Sequence, residues 1–106
     1  MRPLLRDALP DLADEVTALL TQGGATELAA QVASLRLVER CRCGDDFCAT
    51  IYTAPKPKGA WGPTHESLPL QPASGYLILD LVGKQIVCLE VLFRDDLRSK
   101  VLRLFP

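Results

Sequence analysis

The stretch that decides the fold is residues 76–93, YLILDLVGKQIVCLEVLF. Two apolar runs flank Gly83-Lys84, and a two-residue connection that begins with glycine is typical of a type II′ β-hairpin. The pattern therefore predicts antiparallel strands over 76–82 and 85–93. Simple alternation places Leu77, Leu79 and Leu81 on one face and Ile78, Val82, Val87 and Leu89 on the other. Because both faces are largely apolar, we expect this hairpin to be central and covered on both sides.

Helical spacing appears on both sides of this hairpin. Residues 10–22 carry an apolar stripe with Pro10 in the first turn, which predicts a helix, and Thr26 can cap a shorter second helix that ends near Ser34. Asp95 can cap a final helix over residues 95–105. The stripes consist of Leu12, Val16, Leu19 and Leu20 in the first helix, and of Leu97, Val101, Leu104 and Phe105 in the last.

From residue 35 the apolar period changes to two, which indicates a strand, and residues 47–53 are rich in β-branched and aromatic side chains. We interpret residues 35–53 as a hairpin with its tip at Gly44-Asp45-Asp46. Residues 54–75 are dense in proline and glycine, and are interpreted as a long loop.

Together these elements predict an α+β fold in one domain spanning residues 1–106. It contains an N-terminal helical pair over residues 10–34, an antiparallel sheet of about four strands in two hairpins, and a C-terminal helix. A chain of 106 residues can bury a sizeable core without disulfides or metal, so any metal site is expected to be functional or local.

Composition excludes several classes of partner. A formal charge of −1 provides no field to attract nucleic acid or an anionic membrane, and no apolar run approaches the roughly 20 residues that span a bilayer. The N-terminal segment lacks the long apolar core of a secretory signal. We therefore expect a cytoplasmic protein whose thiols stay reduced.

Cys41, Cys43 and Cys48 lie within eight residues, in the run CRCGDDFC. Clustered cysteines in a reducing compartment favour metal or redox chemistry, and His65, the only histidine, can complete a Cys3His zinc set. The C-x-C-x4-C spacing departs from the usual paired C-x2-4-C hooks. The hypothesis requires an even hairpin loop, because an odd loop turns Cys48 to the opposite face.

Other interpretations of these thiols stay open at this stage. Cys43 and Cys48 can form a disulfide across the hairpin, or all three thiols can serve as small apolar packing groups. A cysteine paired with His65 and an aspartate can act as a nucleophile, which is less favoured. Cys88 is expected to be a buried core thiol. Asp80 and Glu90 interrupt the apolar hairpin. They can act together as an acid/base pair, or one of them can lie at a sheet edge or pair with an arginine.

The proline-rich loop also contains candidate partner-binding residues. Trp61, the only tryptophan, lies between Lys58 and His65, and an exposed tryptophan can anchor a protein partner. The alternative is that Trp61 folds inward and covers the sheet. An apolar sheet face left uncovered would instead indicate a homodimer.

The segments CRCGDDFC, YTAPKPKGAWGPTH and GYLILDLVGKQIVCLEVLFRDDLR resemble segments that occur together in small uncharacterised bacterial proteins. The resemblance covers residues 35–106 and implies a bacterial source, with no activity attached. The sequence as a whole favours a non-catalytic binding or interaction module over an enzyme. The alternative is a zinc-binding or thiol-redox site at the cysteine hairpin.

Overall fold

The computed structural model describes residues 2–106, and over these residues it contains four α-helices, one 3₁₀ turn and one five-stranded antiparallel sheet. The helices are α1 (Leu5–Ala8), α2 (Pro10–Gln22), α3 (Thr26–Gln31), which continues into the 3₁₀ turn Val32–Ser34, and α4 (Asp95–Leu104). The strands are β1 (Glu39–Arg40), β2 (Ile51–Tyr52), β3 (His65–Pro69), β4 (Tyr76–Val82) and β5 (Gln85–Leu92).

The α+β class is confirmed, with five strands where about four were expected. The strand order is β1-β2-β5-β4-β3, so the β4–β5 hairpin is central and the cysteine hairpin lies on one side of it. The additional strand, β3, lies inside the segment interpreted as a loop and pairs with β4. Pro69 is tolerated at its end because β3 is an edge strand, where a missing backbone N–H need not break a pairing.

The turn of the central hairpin is type I′, and the type II′ expectation was wrong. Gly83 and Lys84 both have positive φ, 56° and 67°, whereas a type II′ turn requires a positive φ only at its first central residue. Type I′ geometry matches the right-handed twist of the two strands, and that match accounts for a lysine in the left-handed region.

A β-bulge in β5 decides which residues share a face. Leu81 pairs with Ile86 but Asp80 pairs with Cys88, so Val87 is an extra residue in β5. Beyond the bulge Leu89 lies opposite Leu79, in the core, rather than opposite Ile78. Simple alternation from the turn placed Leu89 on the other face, and that assignment was wrong by this one-residue shift.

The helices cover one face of the sheet and form the core with it. The α2 helix spans the predicted range and buries its apolar stripe, while α4 buries Leu97 and Val101. Two predicted caps were wrong, because Thr26 and Asp95 are the first helical residues and the capping positions are Ala25 and Arg94. The largest fully buried side chains of the central strands are Leu77, Leu79, Leu89 and Val91. Each buried leucine contributes roughly 2–3 kcal/mol.

Among residues 2–106 no helix combines the length and the apolar character required to cross a membrane.

Candidate metal centre and the neighbouring groove

The register of the cysteine hairpin brings the three thiols onto one side of its tip. Arg40 pairs with Ile51, and the N–H of Cys41 donates to the carbonyl of Thr50 at 2.9 Å. Continuing this register places Cys43 opposite Cys48, with an even number of residues between them. This is the arrangement that the zinc hypothesis requires. The turn is closed by the N–H of Cys48, which donates to the carbonyl of Asp45 at 3.3 Å, and Gly44 supplies a φ of +83°.

The sulfur atoms of Cys41, Cys43 and Cys48 all lie within 4.8 Å of one another, and none of them is in a disulfide. A metal–sulfur bond of about 2.3 Å in tetrahedral geometry places two ligand sulfurs about 3.8 Å apart. Small side-chain rotations are therefore sufficient to close the three sulfurs on one ion. Cys43 is exposed, and the other two thiols are half-buried.

Hydrogen bonds within the cluster make the acidities of Cys43 and Cys48 differ. Burial alone would raise the pKa of Cys48, but hydrogen bonds from Thr50 and from the two neighbouring thiols lower it. A backbone hydrogen bond from Asp45 lowers the pKa of Cys43, yet desolvation and its contacts with Cys48 and Cys41 raise it to about 11. Of these two thiols, Cys48 is therefore the more acidic, with Cys43 as a hydrogen-bond donor to it.

His65 is not brought to the three sulfurs. It lies on β3, at the opposite edge of the sheet from β1, and four steps of about 4.8 Å separate those edges. Its Nε2 is 2.7 Å from Oδ1 of Asp80, where it donates a hydrogen bond. The geometry thus separates the histidine from the proposed Cys3His set, because the extra strand carries it to the far edge.

The sheet face turned away from the helices forms a groove of about 390 Å³ that begins at the cysteine cluster. Because the bulge turns Cys88 and Glu90 to this face, the groove runs from the thiols to a group of acidic and aromatic residues. The groove is lined by Cys41, Cys48, Thr50, Tyr52, Trp61, His65, Ser67, Asp80, Cys88, Glu90 and Leu92.

Asp80 and Glu90 lie on adjacent strands and form an acid pair that lines this groove. Asp80 is only 5% exposed, and its Oδ1 accepts hydrogen bonds from His65 Nε2 and from Ser67 Oγ, the latter at 3.3 Å. Desolvation, followed by the hydrogen bond and the negative charge of Asp80, raises the pKa of Glu90 to about 7, against a lowering effect of His65. The raised pKa favours the protonated form of the Glu90 carboxyl up to near-neutral pH.

Cys88 is buried, as the sequence predicts, but it faces this groove rather than the helix-covered core. Burial, and then the charges of Asp80 and Glu90, raise the pKa of its thiol far above the ordinary value. We therefore expect the Cys88 thiol to be neutral and unreactive. The sequence marks Asp80 and Glu90 as interruptions of an apolar hairpin, but it does not reveal the bulge that brings them together with His65.

Trp61 folds over the groove rather than extending into solvent. Its ring lies 6.1 Å from that of Tyr52 and 6.5 Å from that of His65, and the side chain is half-buried. Lys58 is exposed, three residues before it. The packing corresponds to the inward alternative for Trp61, while the role of Trp61, Lys58 and His65 in partner binding stays a prediction.

Comparison of the chain with protein-family models, with curated proteins and with solved structures found no match. The function is therefore argued from the geometry of the site.

Proposed function

We propose that this protein binds one thiophilic metal ion, zinc in the first instance, through Cys41, Cys43 and Cys48. The observation that supports the proposal is the mutual approach of the three sulfurs to within 4.8 Å at the tip of a short hairpin. Thiolates are the soft ligands that zinc and Cu(I) prefer. Three protein ligands leave one position for an external ligand, which is the pattern of reactive rather than purely structural zinc sites.

The remainder of the fold supports a local role for the ion. The core between the helices and the sheet is complete without the hairpin tip, and the three thiols lie outside it. Removing the metal should therefore leave the domain folded, unlike a zinc finger, whose folding depends on its ion. A binding module that presents a metal ion to a ligand fits this arrangement better than a zinc-stabilised scaffold.

The test is a cobalt(II) titration of the reduced, metal-free protein, followed by sulfur-to-cobalt charge-transfer absorption. We expect saturation at one equivalent and displacement of cobalt by zinc. Replacement of Cys43 by serine should weaken cobalt binding by at least about tenfold, since a ligand is lost. The matched control is Cys88→Ala, which removes the buried thiol that lies outside the cluster and should leave binding unchanged. Full binding by C43S would contradict the proposal.

The same thiols allow a redox alternative. Oxidation of Cys43 and Cys48 to a disulfide by a peroxide or disulfide oxidant would remove two protons and two electrons and leave Cys41 free. The expected sign is a mass decrease of about 2 Da that a thiol reductant reverses. Such a bond would abolish the metal site, so a purified protein that is oxidised and does not recover metal binding after reduction would favour the redox function.

A second candidate function is association with a protein partner, and specifically with a second copy of the chain. The apolar end of the groove-bearing face continues into an aromatic patch formed by Phe47, Tyr76 and Phe93, of which the last two are 59% and 56% exposed. Phe93 has a φ of +59°, an unfavourable conformation for an aromatic residue. In this conformation its ring stacks on that of Phe47, with the ring centroids 4.9 Å apart.

Sedimentation of the wild type and of Tyr76→Ser tests this candidate. A dimer that Tyr76→Ser converts to monomer is the expected result, because the exposed ring would lose its buried contact. Leu104→Ser, a change at an exposed apolar residue of α4 outside the patch, is the control. A wild type that is monomeric across the concentration range would exclude self-association through this patch.

A further inference from the structure

The acid pair in the groove has more carboxyl groups than basic partners. Asp80 and Glu90 lie on adjacent strands, and among residues 2–106 neither acid forms a salt bridge with a lysine or arginine. His65 is the one basic group in contact, through the 2.7 Å hydrogen bond to Asp80. One weak base thus faces two carboxyl groups.

A second cation would compensate the charge of the two carboxylates. Burying two carboxylates side by side is costly, and a positive ligand group that donates hydrogen bonds to both of them removes that cost. The charged and titratable groups near Glu90 are Asp80, His65 and Cys88. Of these groups only His65 can carry a positive charge. Lys56 lies over the ring of Tyr52, 5.8 Å from its centroid, but among residues 2–106 it forms no salt bridge with either acid. A cation that pairs with both acids would therefore come from outside the chain.

The aromatic lining and the volume of the groove indicate the kind of cation. The rings of Tyr52 and Trp61 form one wall, and aromatic faces attract cations. The cavity of about 390 Å³ lies within the range of small-molecule sites, roughly 300–1,000 Å³. A flat ligand can stack on the Trp61 ring and direct its N–H groups at the carboxylates below.

A metal ion fits this part of the groove less well. Among residues 2–106 the three cysteines are the one group of three or more His, Cys, Asp or Glu side chains positioned to hold a metal ion, so His65, Asp80 and Glu90 do not form such a set. A metal requires its ligands at about 2.0–2.6 Å around a single centre. An organic cation distributes its N–H donors over several ångströms, which matches acceptors that are spread along two strands.

We propose that the groove binds a small planar organic cation, of the amidine or protonated amino-heterocycle class. Asp80 and Glu90 accept hydrogen bonds from its N–H groups, and Trp61 stacks on its ring. The site is independent of the thiol cluster and stands whether or not the three cysteines hold a metal.

The test uses benzamidine as the cation and benzamide as its neutral counterpart of the same shape. Trp61 is the only tryptophan, so its fluorescence reports on the groove directly. With reduced protein in the presence of a chelator, we expect a saturable change with benzamidine and affinity for benzamide lower by at least about tenfold, since each 1.4 kcal/mol of lost charge interaction is a factor of ten. Equal affinities for the two probes, or no saturation with benzamidine, would overturn the proposal.

Substitutions of the two acids test where the cation binds. Glu90→Gln keeps the size of the side chain and should weaken benzamidine binding about tenfold, and Asp80→Asn should weaken it further because Asp80 is the more buried acid. Asp14→Asn, at an exposed site on α2, is the control and should bind normally. Cys43→Ser should also bind normally, so this result is separate from the metal proposal. Unchanged binding by E90Q, or manganese(II) broadening of the His65 resonances without any benzamidine response, would contradict an organic-cation site.

Discussion

At the scale of single residues, the thiol cluster makes one cysteine more reactive than its exposure suggests. Cys48 is half-buried, but its pKa is lowered, while the pKa of exposed Cys43 is raised to about 11. Because the thiolate is the nucleophile, Cys48 should be alkylated by iodoacetamide about tenfold faster than Cys43 at neutral pH in metal-free protein. Peptide mass spectrometry of partially alkylated protein measures the two rates.

Cys88 is the internal control for this alkylation, because its buried thiol with a raised pKa should react only after unfolding. Thr50→Val removes the hydroxyl that lowers the pKa of Cys48, and should slow the reaction of Cys48 alone. Faster labelling of Cys43 than of Cys48 in the wild type would contradict the assignment of Cys48 as the more acidic of the two thiols.

Glu90 makes stability depend on pH. Its pKa is raised from 4.5 in the unfolded chain to about 7 in the fold, so between these values the folded state retains a proton that the unfolded state has lost. The stabilisation is complete below about pH 4.5 and is lost as the pH rises through about 7. Glu90 is partly solvated, and the expected loss is on the order of 1 kcal/mol.

Urea unfolding at pH 5 and pH 8 measures this loss. Glu90→Gln should show a smaller decrease in unfolding free energy between the two pH values, because glutamine does not titrate. An identical pH dependence in the variant and the wild type would exclude Glu90 as the group that titrates.

At the scale of elements, the sequence predicts best where a local pattern is sufficient. The periodic stripe and Pro10 locate α2, and Gly83-Lys84 locates the central turn, because both signals depend on neighbouring residues. The bulge at Val87 and the strand β3 were missed, since each depends on pairing with a strand distant in sequence. For the same reason the cysteine run identifies the thiol cluster, but it does not identify the groove that Cys88 and Glu90 line after the bulge.

The central turn offers a direct test of its type I′ geometry. Lys84 is in the left-handed region at φ +67°, where a residue with a side chain is disfavoured and glycine is not. Lys84→Gly should therefore raise the free energy of unfolding by about 0.5–1 kcal/mol. Lys84→Ala is the control, because it loses the same exposed pair with Glu66 but keeps the strain. A variant K84G no more stable than K84A would contradict the strained turn.

At the scale of the whole molecule, the ion pair between Arg94 and Glu15 connects the chain that follows β5 to helix α2. Arg94 donates two hydrogen bonds to Glu15 on α2, at 2.9 and 3.0 Å, and the side chains are only 12% and 25% exposed. Lysine cannot reproduce this two-pronged contact, so Arg94→Lys should destabilise the protein by about 2 kcal/mol. Glu66→Gln removes the exposed pair with Lys84 and should cost less than about 0.5 kcal/mol. Equal losses for the two variants, measured by urea unfolding, would refute the role of the pair.

The two faces of the sheet therefore have different roles. The helix-covered face supplies stability, and the opposite face holds the thiol cluster, the acid pair and the aromatic wall along one groove. Because the core does not depend on the hairpin tip, changes to the three thiols should alter ligand binding with little effect on folding.

The central claim, that three thiols form a metal site, is tested most directly by the zinc content of the reduced protein after zinc loading and removal of excess zinc by gel filtration. Elemental analysis should give one zinc per chain in the wild type and in Cys88→Ala, and a content near zero in Cys43→Ser, with all three proteins folded by circular dichroism. A wild type without zinc, or a C43S variant that retains one zinc per chain, would contradict the claim.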